Sequence, residues 1–340
     1  MRPWLLCWYS LYVWLTYHLL GNIIEDFFDI DIERQDPTEN LQRFRGLSQA
    51  DLESTGSTYG QIFLELGGVY TALDRKYQRI FVLFADAYSM VYGVEDGKKV
   101  MEQAMNNIQG YSRILPPELP LDDPHFNLEQ WLLQDIDRLQ DPAFRCGVYE
   151  WGIECKKGSN EGPALTRNMT QTPGYTQEKL LQLNRSLGNI SIMKQFLLGV
   201  IDSKQRFQMQ RAVNEANKHV KYPWSTCKNE CFTLRTCTVN LPGRPAVDSG
   251  LVKWSIGTPL GSFTKGDLCI VELQRSFHYQ PGYVSAIRGG SVVKFIRPWT
   301  GNRTDYQSTM DSYLFTRFSN LPDTENPRHA GNPSEPNSST

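Results

Sequence analysis

The sequence lacks any excess of charge. Its 340 residues contain 35 lysines and arginines and 37 aspartates and glutamates, which leaves a formal net charge of −2. A protein that attracts nucleic acid through its overall field carries a basic excess. We therefore predict that nucleic acid is not a partner.

Catalytic signatures are also missing. The chain has no HExxH, GxSxG, P-loop or GxGxxG motif. Of its histidines, only His278, between two aromatic residues at the end of a predicted strand, is a candidate for a site. Asp29-Ile-Asp31 matches the DxD pattern by which glycosyltransferases hold a metal-bound nucleotide, but a solvated acidic run explains it better. We predict no catalytic residue, no metal and no cofactor, and an enzyme is the less favoured class.

The N-terminus is apolar. Arg2 is followed by a nearly uninterrupted apolar run from Trp4 to Leu20. This pattern predicts a signal peptide over residues 1–21, with an uncleaved signal anchor and a buried core helix as alternatives. Because acidic residues follow the run, the signal peptide and the anchor both leave the rest of the chain outside the cytoplasm. We predict a secreted or luminal protein that meets a membrane only through an uncleaved anchor.

Cysteines and sequons agree with that location. The six cysteines outside the leader form an even set, which predicts disulfides in an oxidising compartment: Cys146, Cys155, Cys227, Cys231, Cys237 and Cys269. A zinc site is the alternative for the cluster after His219, but no cysteine pair there has the two-residue gap of a zinc knuckle. The short interval between Cys146 and Cys155 predicts a local disulfide hairpin. Glycosylation sequons begin at Asn168, Asn184, Asn189, Asn302 and Asn337.

The first half of the chain has helical periodicity. From Ile62 to Val91 apolar residues recur at steps of three and four, which predicts one long helix over 57–92. Gly67 and Gly68 inside it predict a kink or the close approach of another backbone. Further helices are predicted near 100–111, 127–139 and 176–218. Together they predict an antiparallel helical bundle over residues 40–220.

The pattern changes after residue 221. Five β-rich runs separated by turn residues occupy 231–240, 250–258, 267–276, 283–288 and 291–298, and Arg288-Gly289-Gly290-Ser291 predicts a hairpin turn. The predicted fold class is therefore α+β, with the helical bundle followed by a small disulfide-stapled antiparallel β domain over 222–318. The polar residues 319–340 predict a disordered tail.

The predicted function is binding. Aromatic and basic residues of the kinds favoured at interface hot spots concentrate in the β domain: Arg275, Phe277, His278, Tyr279, Tyr283, Arg288, Lys294, Arg297 and Trp299. We predict an extracellular glycoprotein that recognises a protein or glycan partner. The alternatives are a secreted hydrolase with a site at the domain junction and a structural protein that self-associates through its heptad seams. The oligomeric state is left open.

Overall fold

The computed structural model describes residues 23–34, 36–44, 46–119, 145–155, 162–170, 174–220, 229–241, 243–248 and 254–319. These residues form strands β1 (Ile23–Phe27), β2 (Gly60–Ile62), β3 (Val69–Leu73), β4 (Arg79–Phe84), β5 (Gly147–Glu154), β6 (Ala164–Leu165), β7 (Leu234–Val239), β8 (Trp254–Lys265), β9 (Leu268–Ile270), β10 (Arg275–Phe277), β11 (Val284–Arg288), β12 (Lys294–Ile296) and β13 (Trp299–Thr309). They also form helices α1 (Thr38–Phe44), α2 (Gln49–Ser57), α3 (Ala87–Tyr92), α4 (Val94–Ile114), α5 (Arg167–Thr170), α6 (Gly174–Ser186), α7 (Gly188–Ile201), α8 (Ser203–Asn217) and α9 (Ser312–Phe318).

Two sheets organise the molecule. The main sheet has nine strands in the order β1-β3-β4-β11-β8-β13-β7-β5-β6, and the second has four in the order β12-β9-β10-β2. From β7 onward the chain alternates between them, because β8, β11 and β13 join the main sheet while β9, β10 and β12 join the second. Residues 243–248 also belong beside the second sheet, since Ala246 bridges Lys294 of β12. This alternation of antiparallel strands between two facing sheets is a jelly roll.

The predicted fold class is therefore wrong. Strands β1, β3 and β4, from the part assigned to a helical bundle, pair in the same sheet as β8, β11 and β13. The long helix predicted over 57–92 is replaced by β2, β3, β4 and α3. All five residues of β3 and five of the six of β4 are buried. Strands covered on both faces give continuous apolar runs, and such runs also contain positions at helical spacing.

Glycine marks the break between β2 and β3. Gly67 has φ +81°, a conformation that side chains rarely adopt, and its N–H donates to the carbonyl of Ala85 at 3.2 Å. A Cβ at Gly68 would lie 3.0 Å from the carbonyl oxygen of Glu65. The two glycines form a turn that leads into a strand, and they do not kink a helix.

Helices α4 and α7 lie on the outer face of the main sheet. The helix predicted near 100–111 is confirmed as part of α4, whereas the single helix predicted over 176–218 is three helices, with Asp202 capping α8 through the N–H of Gln205. Helices α4 and α7 pack against β8. Their apolar side chains share a core with the main sheet, as Leu197 of α7 and Trp151 of β5 illustrate. Within the described residues, no helix is both long enough and apolar enough to cross a membrane.

Two further cores hold the second sheet in place. Between the sheets, the rings of Phe81 in β4 and Phe277 in β10 lie 4.5 Å apart. On the other side, α1 and α2 contribute Phe44 and Leu52 to a small cluster with Phe295 of β12. The second sheet is therefore covered on both faces, and the space that remains between the sheets is enclosed by the jelly roll.

The predicted disulfides are contradicted as well. Cys146 and Cys155 flank the eight-residue strand β5, so an extended rise of ~3.3 Å per residue puts their Cα atoms about 30 Å apart. A disulfide needs Cα atoms within about 7 Å. Cys237 lies in the main sheet and Cys269 in the second, both as buried thiols. Among the cysteines that the structure describes there is no disulfide.

The remaining predictions concern a hairpin turn and segments outside the described residues. The Arg288–Ser291 segment does not form a hairpin, because β11 belongs to the main sheet and β12 to the second. The leader 1–21, the helix near 127–139, Cys227 and the tail from residue 320 lie outside the described residues.

Candidate functional site

A cavity of about 270 Å³ lies between the two sheets of the jelly roll. Strands β8, β11 and β13 of the main sheet face β9, β12 and residues 243–248 across it. Its lining combines apolar side chains, such as Leu268, Ile287 and Ile296, with polar and charged ones, such as Asp248, Lys294 and Gln307. Small-molecule sites in proteins have this composition. The cavity is the candidate functional site.

Four polar side chains meet at one side of the cavity. The Lys294 ammonium donates to Oδ2 of Asp248 at 2.7 Å, and Nε2 of Gln307 donates to the same oxygen at 3.0 Å. Gln307 also donates to Oγ of Ser255, and its Oε1 accepts from Lys294 at 3.3 Å. The side chains of Lys294 and Asp248 are only 17% and 11% exposed. The charges are therefore paired and largely shielded from water.

Backbone pairing brings these residues together. Ala246 and Lys294 are directly opposite in an antiparallel bridge, with reciprocal N–H···O distances of 2.9 and 3.0 Å. Ala246 and Asp248 are two residues apart and both line the cavity. Gln307 and Ser255 come from the neighbouring strands β13 and β8 of the main sheet, whose register pairs Ser308 with Ile256. The cluster thus joins the two sheets.

Asp248 is the carboxylate of this cluster. Burial alone would raise its pKa, but the Lys294 ammonium and the hydrogen bonds from Lys294, Gln307 and Ser255 outweigh that effect and hold the pKa below its usual range. Asp248 is therefore ionised at neutral pH, and its negative charge is matched by Lys294.

A second ion pair lies further along β13. Arg303 is fully buried and binds both carboxylate oxygens of Asp305 at 2.9 Å, while its third contact is the carbonyl of Gly266 at 2.7 Å. The guanidinium lies over the rings of Phe263, Tyr279 and Trp299, at 4.5, 5.6 and 5.4 Å from their centroids. Asp305 also lines the cavity. This guanidinium is therefore engaged by the chain itself.

The residues predicted for binding do not form one patch around this cavity. Of the nine, Tyr279 and Lys294 line it, and Trp299 lies against Arg303. Phe277 belongs to the core between the sheets. The others make contacts elsewhere: Arg275 with Asp26, His278 with Asp267, Tyr283 with the carbonyl of Leu64, Arg288 with Gln78, and Arg297 with Glu53 and Asp267.

The predicted sequon residues differ in accessibility. Asn189 is exposed, and Asn168 and Asn302 are partly buried. Asn184 is 5% exposed, and its Oδ1 accepts from Arg235 at 3.3 Å. Its position is unsuited to an attached glycan.

Sequence reasoning missed Asp248, Ser255 and Gln307. No local motif marks them, and Asp248 is 46 residues from its partner Lys294. The two-residue period of a strand places Asp305 and Gln307 on one face of β13, but the sequence WTGNRTDYQST has no apolar–polar alternation to reveal that strand.

Comparison with known proteins gives a fold and no family. No protein-family model and no curated protein sequence matches the chain. Among solved structures, NgTET1 in complex with 5mC DNA is 12% identical, with 91% of each chain covered and a TM-score of 0.56. An oxidoreductase of the 2OG-Fe(II) oxygenase family from Burkholderia pseudomallei is also 12% identical, over 85% of this chain and 95% of that one, but its TM-score of 0.33 is too low to establish a shared fold.

The likeness to NgTET1 corrects several predictions. The likeness contradicts the predicted recognition glycoprotein, and neither the hydrolase nor the self-associating structural protein finds support in it. The exclusion of nucleic acid is also contradicted, because the matched protein was solved with DNA. That exclusion rested on the net charge of the whole chain, which does not describe how charge is distributed over a surface. The cellular location stays a prediction.

Asp248 is a largely buried carboxylate that lines the cavity, so the cavity can be tested as a site for the non-haem iron of 2-oxoglutarate-dependent oxygenases. Non-haem iron of this type is held by two histidines and one carboxylate. Here Asp248 is accompanied by Ala246, Lys294 and Gln307, while the two histidines that the structure describes contact Phe318 (His219) and Asp267 (His278). An ammonium group offers no lone pair and repels a cation. Within the described residues, no group of three or more histidines, cysteines or carboxylates is arranged to hold a metal. These residues do not fit iron.

Proposed function

We propose that this chain binds nucleic acid and accommodates a single base in the cavity between its sheets, without iron-dependent oxidation. The observation that carries the proposal is the fold likeness to NgTET1, which extends over 91% of both chains and concerns a protein solved with 5mC DNA. The cavity supports it by size. At about 270 Å³ it lies just below the usual 300–1,000 Å³ range of ligand sites, so it suits a group as small as one base.

The chemistry of the lining supports the same assignment. A base taken out of a duplex is recognised by hydrogen bonds to its edge and by contact with aromatic or apolar side chains. Gln307, Ser255 and Asp248 offer an amide, a hydroxyl and a carboxylate, and Leu268 and Ile287 offer apolar surface. Because the donor set does not fit iron, the proposed role is recognition of the base.

Fluorescence anisotropy tests the proposal. The full chain is titrated into labelled duplexes that contain one 5mC, one unmodified cytosine or one mismatched cytosine, at a series of salt concentrations. We expect binding that weakens as salt rises, because phosphate contacts release counterions, and tighter binding to the mismatched duplex, whose base leaves the stack at lower cost. Non-specific DNA binding is already detectable at about 100 µM protein. The absence of any binding up to that concentration at low salt would refute the proposal.

A cavity-filling variant separates base capture from general DNA binding. Ala246→Phe places a ring where Ala246 lines the cavity, and we expect it to remove the preference for the mismatched duplex. Ser54→Phe on the exposed face of α2 makes a similar change away from the cavity and serves as the matched control. If both variants keep the preference, the base does not enter this cavity.

An Fe(II)-dependent oxygenase is the second candidate, and the observation that favours it is Asp248, a largely buried carboxylate that lines the cavity of the jelly roll. The chain is incubated with Fe(II), 2-oxoglutarate and the 5mC duplex, and the consumption of 2-oxoglutarate and the mass of the base are measured. The control is the same chain denatured by heat beforehand. Consumption above that control, together with a heavier base, would establish oxidation and refute the iron-free assignment.

A further inference from the structure

We propose that the Lys294 ammonium takes the place of a metal ion in this cavity, so that the ligand site works without a divalent metal and accepts an uncharged, hydrogen-bonding ligand. This goes beyond nucleic-acid binding, since it concerns the charge and the donor chemistry of the cavity itself and holds for any ligand of that class.

The first step is geometric. Ala246 and Lys294 are opposite one another in the antiparallel bridge, and Asp248 follows Ala246 by two residues on the cavity side. In a pair that exchanges both backbone hydrogen bonds, the Cα atoms are about 5.5 Å apart. The 2.7 Å contact between Lys294 Nζ and Asp248 Oδ2 shows that the side chains at 294 and 248 reach one point. Positions 246, 248 and 294 therefore form a three-sided site in which only 248 carries a metal-ligating side chain.

The second step concerns charge. Lys294 contributes one positive charge that is already matched by Asp248, and Gln307 bonds to both. A divalent cation at Asp248 would compete with the ammonium for the same oxygen and would lie beside its positive charge. The wild-type cluster is satisfied without a metal, because each charged atom has a partner of opposite sign and a hydrogen-bonding amide.

The third step concerns the ligand. Asp305, the second carboxylate that lines the cavity, holds the fully buried guanidinium of Arg303 at two atoms. A dicarboxylate such as 2-oxoglutarate would have to displace Asp248 or Asp305 from a cation that each already binds at hydrogen-bonding distance. Arg244 also lines the cavity and has a partner of its own. Asp248 and Asp305, the two carboxylates that line the cavity, are each already bound to a cation, so the amide of Gln307 and the hydroxyl of Ser255 match an uncharged, hydrogen-bonding ligand.

Metal titration of the purified full chain, in the absence of nucleic acid, tests the inference. Isothermal titration with Co(II) and with 2-oxoglutarate should show no stoichiometric binding to the wild type. Binding of one equivalent of Co(II) that is lost in Asp248→Asn would overturn it. Saturable binding of 2-oxoglutarate would overturn the uncharged-ligand class. Neither result depends on DNA binding, so failure here is distinct from failure of the proposed function.

A double variant tests the geometry. Ala246→His with Lys294→His supplies two imidazoles next to Asp248, the donor set of a non-haem iron site. We expect it to bind one equivalent of Co(II), with a visible absorption band and a raised melting temperature, and to lose binding when Asp248→Asn is added. A folded double variant that binds no Co(II) would refute the three-sided site. If the double variant does not fold, Lys294→His alone should bind millimolar Co(II) through the introduced imidazole and Asp248, and its failure to do so would refute the three-sided site equally.

Discussion

Removing the Lys294 ammonium should destabilise the protein by leaving Asp248 charged in the cavity wall. Lys294→Met keeps most of the side-chain volume and deletes the charge. At 2.7 Å the Coulomb attraction is roughly 6 kcal/mol at an effective dielectric constant of about 20, and the cost of burying both charges offsets much of it. Breaking a buried pair costs about 3–5 kcal/mol. Because Asp248 keeps its bond from Gln307, we expect the lower end, ~3 kcal/mol.

That loss is measurable by thermal and urea unfolding at pH 7. For 340 residues the unfolding entropy is roughly 0.7 kcal/mol/K, so ~3 kcal/mol corresponds to a fall of about 4 °C in Tm. The matched control is Lys98→Met, whose ammonium lies 3.8 Å from Glu102 with both side chains at least 60% exposed. An exposed pair at this spacing contributes no more than about 0.5 kcal/mol. Equal losses in the two variants would refute the assignment of Lys294 as a buried charge partner.

The pH dependence gives a second readout with a defined sign. In the wild type the lowered pKa of Asp248 means that its contribution is present above the unfolded pKa of about 4 and is lost as pH falls through the folded value. In Lys294→Met the main opposing influence is removed, so burial raises the pKa of Asp248 above the unfolded value. The variant should then gain stability relative to wild type as pH falls from about 7 to 4. A gap that stays constant over this range would show that Asp248 is not the group left uncompensated.

Three further predictions concern the fold. Burial raises the pKa of the Cys146 and Cys269 thiols to about 12. At pH 8 neither thiol should therefore react with an alkylating reagent until urea unfolds the chain, which peptide mapping measures. Labelling of the native protein would contradict their burial. Gly152→Ala should lower the free energy of unfolding by at least about 2 kcal/mol, because φ at this residue is +150° and the new Cβ would overlap the carbonyl oxygen of Thr233. The control, Gly110→Ala on the open face of α4, should raise Tm. Equal effects of the two variants would argue against the strand pairing of β5. Phe277→Ala should lower the free energy of unfolding by urea by about 3–5 kcal/mol. The control, Phe63→Ala, changes a side chain that is 68% exposed and should alter stability by less than about 0.5 kcal/mol. A small effect at Phe277 would place its ring outside the core between the sheets.

Several short C-terminal strands were predictable because turn residues separate them, whereas the eleven-residue β13 was not predicted. The runs predicted at 231–240, 283–288 and 291–298 contain β7, β11 and β12. The first half of the chain was misassigned because β3 and β4 are buried on both faces, which removes the two-residue alternation that identifies a strand. The sequence also did not show which strands pair with one another. The connection after Arg288 looked like a hairpin, yet it carries the chain from one sheet to the other.

The site was less accessible to sequence reasoning than the fold. Tyr279 and Lys294 were named for their residue types, and the structure places both at the cavity. Asp248 has no neighbouring histidine or cysteine to mark it as part of a site. Its role depends on the bridge between Ala246 and Lys294, a long-range pairing that no local pattern encodes.

The ion pair has a structural consequence beyond the charge balance. Asp248 and Lys294 belong to the side of the cavity formed by the second sheet, whereas Gln307 and Ser255 belong to β13 and β8 of the main sheet. The cluster therefore fastens the two sheets together across the cavity, a task that a metal ion with ligands on several strands also performs. Without the Lys294 ammonium, Asp248 would be an unpaired buried carboxylate. Lys294 removes that cost and, by the same contact, fixes the width of the space in which the ligand must bind.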